Sequence, residues 1–181
     1  MLKKRSSGFY PGMYMSLPET TIREKMLSAV LIFVRAAMAL EGVRRIALLG
    51  SIITNKSAPK DIDLLVTVTD DCDLRPLAKC TRQLQGRVKG LNRGTDVFLA
   101  DERGQYLGRI CKWRRCGPGI RASCYALHCG RRHYLYDDLG TVKLDAALVA
   151  APPVQLWPTV IRRCPLPEDV ELLLAELEQN G

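Results

Sequence analysis

Three aspartates and a Gly-Ser pair are the residues of this 181-residue chain best spaced to do chemistry. Asp61 and Asp63 flank the apolar Ile62 at the head of the run Asp61-Ile62-Asp63-Leu64-Leu65-Val66-Thr67-Val68. The second half of that run is strongly β-prone and predicts a strand. Side chains alternate along a strand, so both carboxylates share one face while Ile62 points the other way, into a core. Adjacent carboxylates repel and cost stability if left alone. Magnesium resolves that cost, because it takes oxygen ligands and bridges substrate phosphates. Upstream, Ile46-Ala47-Leu48-Leu49 is a short apolar strand that stops at Gly50-Ser51. A glycine there lets a phosphate approach the backbone, and the serine hydroxyl donates to a phosphate oxygen. Asp96 opens a third predicted strand, Thr95 to Ala100, and brings a third carboxylate to the cluster. Each feature alone is common as an ordinary turn or half-exposed strand; their ordered combination is specific.

The surrounding elements must hold these residues in place. Residues 1–18 are rich in Gly, Pro, Ser and Met and read as a loose arm. Thr20-Thr21 precedes Ile22, Met26, Val30, Phe33 and Ala37, whose spacing predicts a helix with Glu24 in its first turn, ending near Gly42. Leu74 to Val88 predicts a second helix, with Leu77, Leu84 and Val88 on one stripe. Val142 to Ala151 fits a strand or a short helix. Pro165 to Asp169 opens a final helix running to about Gln179, with proline and acids where a first turn favours them. Strands mixed with helices in this order indicate an α/β or α+β sheet covered by helices.

Here the sequence resembles the DNA polymerase β-like nucleotidyltransferase superfamily. The family pattern is an apolar strand ending in Gly-Ser, a short loop, Asp-apolar-Asp, and a later Asp on another strand. This chain carries Leu48-Leu49-Gly50-Ser51, nine intervening residues, Asp61-Ile62-Asp63-Leu64-Leu65-Val66, then Thr95-Asp96-Val97-Phe98. The likeness covers about residues 44–100 and is greatest to the small stand-alone branch. It implies a nucleotidyltransferase-like mixed sheet, with Asp61 and Asp63 holding magnesium and the triphosphate. Asp96 would complete the metal site, with two ions possible, and help deprotonate the attacking hydroxyl. Gly50 and Ser51 would hold phosphate. Small members often carry a basic residue and a second glycine after Gly-Ser; here the loop reads Ile52-Ile53-Thr54-Asn55-Lys56-Ser57, so Lys56 supplies the base and the glycine is absent. The implied reaction is in-line transfer of a nucleoside monophosphate to an unidentified acceptor hydroxyl, releasing pyrophosphate.

The net charge is +8, and its location is informative. Arg103 to Arg132 holds seven arginines and one lysine with no acid, while the remaining 19 basic residues balance 19 acidic ones. Such a block attracts polyanions such as RNA through counterion release, or is simply a solvated cationic surface. The same segment carries Cys111, Cys116, Cys124 and Cys129. Two short-spaced pairs can close four thiolates on one structural zinc ion, with His128 as substitute ligand; reduced buried thiols and disulfides are the alternatives. Trp113 is expected in the core of this module, while Tyr125, Tyr134 and Tyr136 are left as either core or base-stacking residues. The expected organisation is an arm at 1–18, a nucleotidyltransferase core at 19–103, a basic Cys-rich zinc-binding-like insertion at 104–136, and a part completing the fold at 137–181. The most apolar stretch, Met26 to Leu40, is too short and, with Arg35, too polar to span a bilayer, and no signal-peptide core is evident, so a cytoplasmic protein is expected. The rival to an enzyme is a catalytically silent nucleotidyltransferase-like module that binds nucleic acid or a partner protein through the basic segment.

Overall fold

The computed structural model describes residues 20–116, 132–136 and 138–179. The first helix, α1 (Ile22–Ala37), is capped as its sequence specifies: the Thr21 side chain accepts from the Glu24 N–H, and the Glu24 carboxylate accepts from the Thr21 N–H. Of the predicted stripe, Met26, Val30, Phe33 and Ala37 are buried, while Ile22, in the first turn, is exposed. The helix stops short of Gly42, at Ala37, and a turn carries the chain into β1 (Val43–Leu49). A single 3₁₀ turn (Gly50–Ile53) follows, then β2 (Asp61–Val68), α2 (Leu74–Lys89), β3 (Gly94–Ala100) and β4 (Tyr106–Ile110). The rest comprises β5 (Leu135–Tyr136), α3 (Ala146–Ala150), β6 (Val154–Trp157), β7 (Ile161–Arg162) and α4 (Glu168–Gln179). The ambiguous stretch before Pro152 is thus a short helix, started by the Asp145 side chain accepting from the Ala147 N–H.

The described strands form one open sheet in the order β5-β4-β3-β2-β1-β6-β7. β2 and β3 run parallel and every other pairing is antiparallel. The architecture is mixed α+β. One face of the sheet carries Ile46, Leu48, Ile62, Leu64, Val66, Val97 and Leu99, which pack with the apolar sides of α1, α2 and α4 into the main core. The other face carries a much smaller cluster, in which Ala47, Leu49, Leu65 and Ala100 meet Val149 of α3. Arg45 ties α3 down there, donating to the Val149 and Ala150 carbonyls at 2.6 and 3.0 Å and to Thr67 Oγ1 at 3.1 Å. Among the described residues no helix is long and apolar enough to cross a membrane.

Segment 104–136 begins and ends in this sheet. β4 and β5 extend it beyond β3, and Ile110, Cys111, Tyr134 and Leu135 join the main core. Arg132 belongs to the same framework, donating to the carbonyls of Thr69 and Cys72 after β2. Three scattered cysteines outside the cluster are expected as small buried residues: Cys72 and Cys80 are buried, with burial pushing both thiols up, whereas Cys164 is only half-buried.

A buried guanidinium joins the helical layer to the turn after β1. Arg23, in the first turn of α1, pairs through Nε and Nη2 with the Asp169 carboxylate at the start of α4. Its remaining donors reach the Ile52 carbonyl at 2.6 Å and the Lys56 carbonyl at 3.0 Å. Arg23→Ala leaves two carbonyls and a partly buried carboxylate without their donor, and is expected to lower the unfolding free energy by about 3 kcal/mol. Urea denaturation checks this, and a loss below about 1 kcal/mol, the level of an exposed pair, would contradict it.

Candidate functional site

The sequence places Asp61, Asp63 and Asp96 on strands, and the parallel register of β2 with β3 brings them together. Asp63 stands opposite Asp96, Asp61 opposite Gly94, and Leu49 opposite Asp63 on the other side. Residues paired across strands point to the same face, so all three carboxylates lie on the face opposite the main core. Ile62 and Leu64 between and beside them are fully buried on the other side. The end of β1 and the beginnings of β2 and β3 meet at one edge of the sheet. That puts Gly50, which follows β1 directly, beside the carboxylates.

Two glycines make room for the acids. At Gly50, whose φ is +76°, an added Cβ would collide with the Asp63 carboxylate, and at Gly94 one would collide with that of Asp61. The carboxylates therefore lean to opposite sides, Asp63 over the turn after β1 and Asp61 over the start of β3. Asp96 leans a third way. Its Oδ1 accepts from Arg109 Nη1 at 3.2 Å and lies 3.4 Å from Lys112 Nζ. Lys112 also donates to the Thr95 carbonyl. These three directions explain why no group of three or more His, Cys, Asp or Glu side chains among the described residues converges on a single metal position.

Asp63 carries the electrostatic strain. Burial, then the charges of Asp96 and Asp61, raise its pKa from 3.8 to about 6. Arg109 and Lys112 pair with Asp96, and no described cation pairs with Asp61 or Asp63. An oxygen-seeking cation beside that pair would reverse the strain, so Asp61 and Asp63 fit magnesium in both donor type and charge. Asp96 is shared with protein cations in this arrangement.

Four residues of this face escaped the sequence reading. Arg109, Lys112, Tyr106 and Asp138 form a network in which Arg109 Nε donates to Asp138 Oδ2 at 2.6 Å and the Tyr106 hydroxyl donates to Asp138 Oδ1 at 2.7 Å. Asp138 is almost wholly buried. Burial and the hydrogen bond to Asp138 push the Tyr106 hydroxyl well above its usual range. Arg109 is hidden in the basic run, and its pairing opposite Phe98 together with its contact to Asp96 shows that it faces the aspartates. Asp138 had no pattern to announce it.

The other expected site residues lie apart. Lys56 is exposed in a groove with Arg23, Asn55 and Asp169, and it makes no ion pair with Asp61, Asp63 or Asp96. Cys111 is buried in the main core, and the half-buried Cys116 accepts at Sγ from the Tyr134 N–H at 3.1 Å. Cys124, Cys129, His128 and Tyr125 lie outside the described residues. Tyr134 is buried and Tyr136 is half-buried beneath the Arg109 guanidinium, 5.5 Å from its ring centre. Trp113 is not the core residue expected from composition, since it is 44% exposed. It follows β4 at the rim of the sheet, where Arg82 of α2 donates to its carbonyl at 2.9 Å while the indole stays outside the core.

Residues 13–116 match DUF6932, a family of unknown function. That span holds Gly50, Ser51, the three aspartates, Arg109, Lys112 and Trp113. No curated protein and no solved structure matches the chain.

The pKa of Asp63 fixes the sign of a pH effect. A carboxyl raised on folding holds its proton more tightly in the folded state, so its stabilising effect is full below about pH 3.8 and is lost as pH rises to about 6. Above that range the ionised group costs stability, on the order of 1 kcal/mol once screened by solvent. Asp63→Asn removes the cost. Its melting temperature should exceed that of the wild type by about 2–4 °C at pH 8 and match it at pH 4. Equal melting temperatures at both pH values would remove the strain from the account.

Proposed function

The chain belongs to the DUF6932 family of unknown function, and we propose that it is a magnesium-dependent nucleotidyltransferase that moves a nucleoside monophosphate from a nucleoside triphosphate to an acceptor hydroxyl. The observation that carries this is the strained carboxylate of Asp63, set between Asp61 and Asp96 and packed over Gly50. An acidic cluster with no described cation at two of its members has a function to supply when it holds a metal, and the glycine turn beside it admits phosphate. Magnesium there, as one ion or two, would offset charge on the phosphates and the leaving group.

The protein's own groups account for the rest. Asp61 and Asp63 hold the cation. Gly50 and Ser51 face phosphate oxygens with backbone N–H groups and a hydroxyl. Arg23 fixes that turn from behind through the Ile52 carbonyl. In the transfer, the acceptor oxygen bonds to the α-phosphorus as the bond from α-phosphorus to the bridging oxygen breaks. Pyrophosphate leaves with that electron pair, and the acceptor proton passes to the Asp96 carboxylate. Arg109 and Lys112 are placed to exchange Asp96 for the negative charge of the substrate. Lys56 reaches phosphate only if its loop turns toward the acids.

A second reading rests on one observation, the pairing of Asp96 with Arg109 and Lys112. Internal cations that keep the third carboxylate suit a catalytically silent module, which would bind nucleic acid or a protein through its basic Cys-rich segment. The enzyme reading, like this one, includes a structural zinc held by Cys111, Cys116, Cys124 and Cys129 in a reducing, cytoplasmic setting. An N–H donated to sulfur, as Tyr134 gives Cys116, is the contact that steadies a metal-bound thiolate. Elemental analysis should find about one zinc per chain, and metal-free protein of unchanged stability would remove zinc from the proposal.

The decisive assay incubates the protein with each labelled nucleoside triphosphate, magnesium and candidate acceptors. Label should move to an acceptor, and Asp61→Asn should reduce transfer by on the order of 10²–10³-fold without unfolding the chain. If Asp61→Asn matched the wild type in magnesium-nucleotide binding and in transfer, the enzyme reading would fail. Polyanion binding with no transfer of any nucleotide would favour the silent module.

A further inference from the structure

We propose that residues 13–18 dock as an extended segment into the groove between α1 and α4. This surface belongs to the helical layer, on the far side of the sheet from Asp61, Asp63 and Asp96, so it is independent of the enzyme reading. The two helices run side by side. Arg23 pairs with Asp169 at their first turns, and Arg35 pairs with Glu176 further along. Between those pairs lies a groove of about 470 Å³ with Leu27, Leu31 and Leu173 as its floor. Ile32 and Leu172 stand at its lips, 39% and 66% exposed. A lone exposed aliphatic is ordinary, but two on the lips of one groove mark a contact surface. Glu24, Arg35 and Glu176 flank them, so the apolar strip is narrow. Past Glu24 and Asp169 the groove continues to the loop at 55–57.

The chain itself supplies the occupant. Residues 1–19 lie outside the described residues, and the described chain starts at Thr20, next to the Thr21 cap that bonds Glu24 at the mouth of the groove. The sequence just before it reads Met13-Tyr14-Met15-Ser16-Leu17-Pro18. In an extended chain Met13, Met15 and Leu17 share one face, and Tyr14 and Ser16 share the other. Pro18 disfavours helix at Leu17 and suits the turn that sends the chain back along α1. The lengths agree. From Glu24 to Arg35 the helix rises about 17 Å, and the five extended residues 13–17 reach about 17 Å. Methionine, unbranched and adaptable, fills an irregular groove well. The family match also begins at Met13, so this run belongs to the sequence that the family shares. A second copy fits less well. A stable dimer buries about 800 Å² on each partner, and a narrow apolar strip between charged flanks falls short of that. The folded unit therefore begins at Met13.

Chymotrypsin cleavage of the full chain after Tyr14, at dilute protein and followed by mass spectrometry, tests this. Cleavage of a docked segment tracks the population that has left the groove. Burial of Met13, Met15 and Leu17, less the cost of ordering them, should slow it roughly 10-fold against a free peptide of residues 8–20. Leu172→Ser should remove most of that protection, and because the side chain is exposed the core is undisturbed. Leu17→Ser should do the same when compared with the peptide carrying the same change. The double variant should cleave no faster than either single one. A second measurement observes the contact itself: nuclear Overhauser effects should join the Met13 or Met15 methyl to those of Ile32 or Leu172. The inference is overturned if the wild type is cut as fast as the peptide, or if Leu172→Ser leaves its protection unchanged. Protection or methyl contacts that appear only as protein concentration rises would make the groove an interface between copies, and would overturn it too. None of these outcomes alters the nucleotidyl-transfer assay, which reads the opposite face of the sheet.

Discussion

Repulsion among three carboxylates on one edge of one sheet is the constraint around which the rest of this structure is arranged. The pairing of β2 with β3 leaves no choice in the matter: once Asp63 stands opposite Asp96, the two share a face, and Asp61 shares it by alternation. The chain relieves part of the repulsion locally. Glycines at 50 and 94 give two of the carboxylates space to lean apart. Arg109 and Lys112 neutralise the third. Arg109 is itself fixed by the buried Asp138, which in turn is satisfied by the Tyr106 hydroxyl. What remains is the Asp61–Asp63 side of the cluster, where Asp63 is left with a raised pKa. Stability alone does not favour an ionised acid there, and on the proposed function a ligand that carries positive charge accounts for it.

The two faces of the sheet divide the labour. The helix-covered face is apolar from β1 through β3, and its burial supplies the stability against which the strained edge is held. The acid-bearing face is covered only where α3 rests on Ala47, Leu49, Leu65 and Ala100. Beyond that patch the strands present charge. The two layers communicate at the turn after β1, where Arg23 reaches from the helical side to the Ile52 carbonyl in the turn and the Lys56 carbonyl in the loop that follows it. A guanidinium with two carbonyls and a carboxylate on it is hard to move, so the turn beside the acids is a rigid wall of the site.

Much of this was legible in the sequence, and the failures have physical reasons. Strand alternation fixed the common face of Asp61 and Asp63, and the capping box fixed the start of α1, because both are local. Pairing is not local. Nothing in the basic run distinguishes Arg109, which faces the acids, from Arg132, which clamps two carbonyls, or from Arg114, which is exposed. Their roles follow from β4 and β5 joining the main sheet, whereas composition suggested a separate segment from 104 to 136. Trp113 departs from expectation for a related reason. Size and apolarity argue for burial, but the residue falls just after a strand at the sheet's rim, where α2 holds its carbonyl through Arg82 and the indole stays exposed. The short helix α3 could not be told from a strand, since five apolar residues before a proline lack a resolvable period.

The claim that most needs testing is that Asp63 is a strained cation ligand and not an ordinary surface acid. Its side-chain carboxyl carbon can be followed by NMR across a pH titration, with and without magnesium. The expected midpoint lies near 6 in the free protein and falls toward or below the ordinary aspartate range near 4 when magnesium is present. A midpoint near 4 that magnesium does not move would contradict it.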